Sequence, residues 1–158
     1  MWAVAALATA VLAGCSSDNS SSKSDTSSPT ANTQDAYCQQ VQAFKTASNS
    51  LSSVFNGNVA PTPDAVKAVF TTMQDGLHAL DKNPPAAIKS DIDVMTKDID
   101  AIVAIFTKHG WDVNEVSSGP DSEALQASLN DPAAETASAN LKTWAAGACG
   151  ITTDSVAP

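Results

Sequence analysis

The larger apolar residues of this chain recur at intervals of three and four over four separate stretches, the spacing of one face of an α-helix. Tyr37, Val41, Phe44, Leu51, Val54 and Phe55, with Ser48 completing the stripe, predict a first helix from about Gln34 or Asp35 to Asn56. Gly57 stops it. Thr62 followed by Pro63 reads as a capped start, and Val66, Val69, Phe70, Met73, Leu77 and Leu80 predict a second helix over 63–82. Asn83-Pro84-Pro85 breaks that helix and opens a third, over 85–108. Its pattern is the most regular: Ile88, Ile92, Met95, Ile99, Ile102 and Phe106 step by four and three, Val103 widens the seam, and Gly110 supplies the stop. Residues 111–120 show no period. A short helix at 121–129 leads to Asn130-Asp131-Pro132, and Ala134, Ala137, Leu141, Trp144 and Ala148 predict a last helix over 132–148. Short connections between amphipathic helices favour antiparallel neighbours. The expected fold is therefore all-α, an antiparallel up-down four-helix bundle over residues 35–150 with a tail at 151–158.

Upstream the pattern changes twice. Residues 2–13 form an uncharged apolar run of 12 residues. That is too short for a membrane-spanning helix, which needs ~20, and has the length of a signal-peptide core. The run ends in Leu12-Ala13-Gly14-Cys15. This resembles the bacterial lipobox, in which the Cys becomes the lipidated first residue of the mature chain. The resemblance implies a lipoprotein signal peptide over 1–14, a lipid on Cys15, and a protein held at the extracytoplasmic face of the cell membrane. No residue in 1–14 carries a positive side chain, so the basic residues that open such leaders are expected upstream of Met1. Residues 16–34 hold 8 of the 19 Ser and no large apolar residue, too little to offset the entropy of ordering. The segment 15–34 is expected to be a disordered tether with a span of roughly 25 Å.

Assigning Cys15 to lipid leaves Cys38 and Cys149 in an oxidising compartment. In an antiparallel four-helix bundle the start of the first helix and the end of the fourth lie at the same end, so the two are expected to form one disulfide. Closing a loop of that length stabilises by roughly 4–5 kcal/mol on the chain-entropy view. Tyr37-Cys38 at the opening of the domain, and Trp144 ahead of Cys149-Gly150 at its close, also resemble small exported proteins and lipoproteins of high-GC Gram-positive bacteria. In those, an aromatic-Cys start and a W-x4-CG end frame a helical domain of similar size. The resemblance implies fold, disulfide and location, and brings no reaction and no functional residues.

Composition sharpens the exclusions. The chain has 158 residues, 8 Lys and no Arg against 17 Asp plus Glu, a net charge of −9. Binding nucleic acid needs clustered cations, and none is expected here. A basic patch for anionic lipid headgroups is equally absent from the composition. Zinc-ligand spacing, G-x-S-x-G and a phosphate-cradling Gly-rich loop do not occur. His78 and His109 fall near the ends of different helices, too far apart for a shared metal. Asp91-Ile92-Asp93 and Asp98-Ile99-Asp100 repeat on the third helix, but a Ca²⁺ site wants an irregular loop. They read as a solvated face, with Asp93 and Lys97 an i,i+4 pair.

The segment Lys108 to Val116 is the longest irregular connection, and His109, Trp111, Asp112 and Glu115 are its candidate binding residues. Alternatively Trp111, Val113 and Val116 fold back as a lid over the end of the core. The expected role is a non-enzymatic, lipid-anchored interaction or accessory module at the cell envelope, without a cofactor. Its partners would be the membrane, through Cys15, and an envelope protein or cell-wall component. The alternative is small-molecule or lipid binding in a pocket between helices, lined by Phe70, Met73, Met95, Phe106 and Trp111.

Overall fold

A computed structural model describes residues 31–56 and 60–152. The expected leader, Cys15, most of the Ser-rich segment and the tail from 153 lie outside the described residues. Within them the chain is all-helical: α1 (Ala31–Phe55), α2 (Pro63–Asp81), α3 (Lys89–Lys108), α4 (Val113–Ser118), α5 (Ser122–Leu129) and α6 (Pro132–Cys149). None of these helices is long and apolar enough to cross a membrane.

Local chemistry sets most of the boundaries. The Thr62 hydroxyl accepts the Ala65 amide at 3.3 Å and Pro63 is the first helical residue of α2. Asp131 does the same for α6, taking the Ala133 amide at 2.8 Å ahead of Pro132. At the other end of α6, Gly150 is left-handed at φ 63°, and the Ile151 amide turns back to the Ala145 carbonyl.

Two starts differ from expectation. α1 begins at Ala31 rather than at Gln34 or Asp35, so the last residues assigned to the tether are helical. They carry no large apolar residue to announce a helix; the Gln34 side chain instead donates to the Ala148 carbonyl of α6 at 3.0 Å. α3 begins at Lys89 rather than Pro85, because the chain first makes a turn in which the Ile88 amide reaches the Pro85 carbonyl.

Packing runs from α1 to α2, from α2 to α3 and from α3 to α6, and α6 touches α1 again along the sparsest of these seams. The helical faces meet in one core. Val66, Leu80, Ile88, Ile92 and Val116 are completely enclosed, each contributing about 1.5–3 kcal/mol by leaving water. Phe55, Phe70, Phe106 and Trp111 form a line of rings, with neighbouring centroids 6.2, 5.0 and 6.0 Å apart. Tyr37 meets Trp144 edge to face at 5.6 Å. Close to this pair Cys38 and Cys149 are joined, Cα atoms 5.4 Å apart, as the cysteine arithmetic expects.

Candidate functional site

The connection after α3 is the first place to look for chemistry. The Trp111 amide reaches back to the Phe106 carbonyl at 2.8 Å, which closes the helix end. Gly110 and Trp111 are both left-handed, at φ 60° and 66°. Glycine adopts that conformation freely, whereas a bulky residue is strained there by about 1–2 kcal/mol. The strain at Trp111 turns its indole flat onto Phe106, the planes 8° from parallel. The segment expected to be irregular then contains a helical turn, α4. Val116 of that turn is completely buried, and Trp111 and Val113 pack partly buried against the core. Of the two readings of this segment, the geometry is that of a lid.

The four candidate residues do not converge. The Asp112 carboxylate caps α4, accepting the amides of Asn114 at 2.8 Å and Glu115 at 3.3 Å. The Glu115 side chain is exposed. Trp111 belongs to the ring stack. His109 Nε2 stands 2.7 Å from Asp121 Oδ2, and Lys108 Nζ donates to the same oxygen at 2.6 Å. Those two hydrogen bonds, with the charge of Lys108, hold the Asp121 carboxyl below the usual carboxylate range. Gly119 permits the close approach, since a Cβ there would stand 2.6 Å from the Glu115 carbonyl and 3.4 Å from the His109 ring. Asp121, the hub of this corner, was not singled out from the sequence; an acid ahead of a short helix carries no distinguishing signal.

The acidic residues of α3 are less solvated than their repeat suggested. Asp100 accepts from Gln74 at 2.7 Å and meets His78 Nε2 at 2.9 Å. Asp91 accepts from Asn140 of α6 at 3.0 Å. Asp93 pairs with Lys89 at 3.0 Å, one turn earlier, in place of Lys97. Asp98 is half-buried, and desolvation together with the nearby Asp131 raises its pKa. Among the described residues no group of three or more His, Cys, Asp or Glu is placed to hold a metal ion.

Concave surface lies between the helices instead. A cleft of about 450 Å³ is walled by Phe44 and Leu51 of α1, Phe70, Met73 and Leu77 of α2, and Met95, Ile99 and Ile102 of α3. Its polar lining comes from Asp98, Ser128, Asn130, Asp131 and Glu135, and its exposed residues, Leu129 (59% exposed), Asn130 and Glu135, mark the mouth. Phe70, Met73 and Met95 are where the sequence expected a pocket wall. Phe106 and Trp111, expected beside them, lie in the ring stack and outside the lining.

A second cleft, about 270 Å³, follows the seam between α1 and α6. Phe44 and Leu51 line it too, with Val41, Leu141, Ala145 and Ile151, and two lysines, Lys45 and Lys142, stand on it. A third hollow beside Tyr37, Trp144 and Pro84-Pro85 lies at the disulfide end. Comparison with protein-family models, with curated proteins and with solved structures finds no significant match to this chain.

Proposed function

We propose that this chain is a lipid-anchored, extracytoplasmic helical module without enzymatic activity, which binds a small apolar molecule between its helices. The long helices α1, α2, α3 and α6 form the antiparallel up-down bundle, with α4 and α5 as the connection across its open end. The order of packing and the Cys38–Cys149 bridge between the start of α1 and the end of α6 support this topology. The Leu12-Ala13-Gly14-Cys15 sequence supports the anchor, with the Ser-rich stretch as spacer between membrane and bundle.

The observation that carries the binding reading is the 450 Å³ cleft with Phe70, Met73 and Met95 in its wall. Its volume falls within the ~300–1,000 Å³ typical of small-molecule sites. Methionine suits such a wall, being unbranched and polarizable and able to repack around differently shaped guests. A surface interaction site at the candidate residues has less support, because His109, Asp112 and Trp111 are engaged within the fold and Glu115 is exposed.

Native mass spectrometry of the protein extracted in mild detergent from its own host tests this reading. A small-molecule mass lost on denaturation, separate from the acyl mass on Cys15, is the expected result. A lipidated chain free of guest would overturn the binding reading, and an unmodified Cys15 with the leader attached would overturn the anchor.

A further inference from the structure

The two inter-helix clefts share Phe44 and Leu51 as walls and differ in charge. The lining of the larger carries Asp98, Asp131 and Glu135 and no cation. The α1–α6 cleft carries Lys45 and Lys142 and no carboxylate. In a chain with 17 acids and 8 lysines, that segregation is against the grain of the composition. Elsewhere in the described residues Lys89 and Lys108 are each in an ion pair, and Lys67, Lys82 and Lys97 are in none. Lys45 gives one hydrogen to the Thr152 carbonyl at 2.8 Å, which leaves it further donors to offer. Lys142 is exposed, and neither lysine is in an ion pair among the described residues.

We infer that the molecule bound is a single-chain amphiphile with an anionic head, a carboxylate of the fatty-acid kind. Its head lies between Lys45 and Lys142, and its chain passes Phe44 and Leu51 toward Met73 and Met95. This inference rests on the binding reading above and adds the ligand class and its direction. The acids lining the larger cleft repel an anionic head, so the two clefts select one orientation. The stems of the two lysines cover apolar wall while their ammonium groups stay at the surface, where a carboxylate can keep part of its hydration. The path follows the sparsest seam of the ring, α1 against α6, bridged covalently only at the Cys38–Cys149 end.

Calorimetric titration of the full chain with decanoate, 1-decanol and decyltrimethylammonium, all below their micellar concentrations, tests the inference. The three probes share one chain length and differ in head charge. Decanoate is expected to bind about tenfold more tightly than decyltrimethylammonium, equivalent to roughly 1.4 kcal/mol. The double substitution Lys45→Gln/Lys142→Gln should remove that preference and leave 1-decanol binding unchanged, which also reports that the variant is folded. If 1-decanol binds while decanoate shows no advantage, or the advantage survives the double substitution, the ligand class is wrong and the cleft reading stands. If none of the three binds, the reading of the clefts as a binding site fails with it.

Discussion

Trp111 lies flat on Phe106, ring centroids 6.0 Å apart, and reaches that position through a left-handed backbone at φ 66°. A favourable contact and an unfavourable dihedral therefore belong to one residue, and substitution can separate them. Trp111→Ala removes the ring and keeps the strain; Trp111→Gly removes both. Glycine is expected to be more stable than alanine here by about 1 kcal/mol, the reverse of its usual disadvantage. Urea unfolding of the two variants measures the difference, and both should fall below the parent because the stacked indole is gone.

Thr96 is a buried polar side chain of the core, 6% exposed on the inner face of α3, and its hydroxyl has no hydrogen-bond partner among the described residues. A buried hydroxyl left without a partner costs about 1–3 kcal/mol relative to solvent. Thr96→Val keeps the shape and removes the hydroxyl, so the variant should unfold at higher denaturant with an unchanged slope. Tyr37 presents a parallel case, its buried hydroxyl unpartnered and its pKa pushed up to about 12 by desolvation and by Asp81.

The disulfide should dominate resistance to unfolding. Cys38→Ser/Cys149→Ser opens a loop spanning a sequence separation of 111, and the chain-entropy view assigns it roughly 4–5 kcal/mol. Guanidinium unfolding of the double variant against the oxidised parent gives the number. A loss under about 1 kcal/mol would mean that the helices alone hold the unfolded chain as compact as the bridge does.

Acid should loosen the corner around α5. The Asp121 carboxyl is depressed by Lys108 and His109, so its contribution to stability is fully present above the unfolded carboxylate value near ~4 and is lost as pH falls through the lower folded value. Asp121→Asn should therefore be less stable than the parent at neutral pH, with the gap closing on acidification below ~4. Asp98 runs the other way. Its folded pKa is raised, so its ionised form weighs against the native state as pH rises through that folded value, and Asp98→Asn should lessen that loss. Denaturant titrations of both variants at neutral and acid pH separate the two carboxylates.

The long helices and their caps were legible because apolar spacing and Thr62-Pro63 or Asp131-Pro132 are local signals. The bridge was legible from the cysteine count, and the structure joins Cys38 to Cys149. α4 was not, because six residues are too few to establish a period, and an Asp in an irregular stretch reads as a binding residue as readily as a cap. The start of α1 was hidden for a different reason: Gln34 is tied to Ala148, a partner far along the chain. The clefts were half legible. Phe70, Met73 and Met95 share a stripe that any core helix shows, whereas Lys45 and Lys142 are ordinary surface lysines until α1 is set against α6. The third helix misled in detail, as Asp91 and Asp100 use their carboxylates to reach α6 and α2.

An apolar guest in the space between the helices would be reported directly by the methionines. The chain has three, and Met73 and Met95 both line the larger cleft. Methyl NMR of the methionine-labelled protein, titrated with 1-decanol, should show both of those signals shifting and saturating together. Unmoved Met73 and Met95 methyls at saturating 1-decanol would mean that the cleft is a packing gap and that nothing binds there.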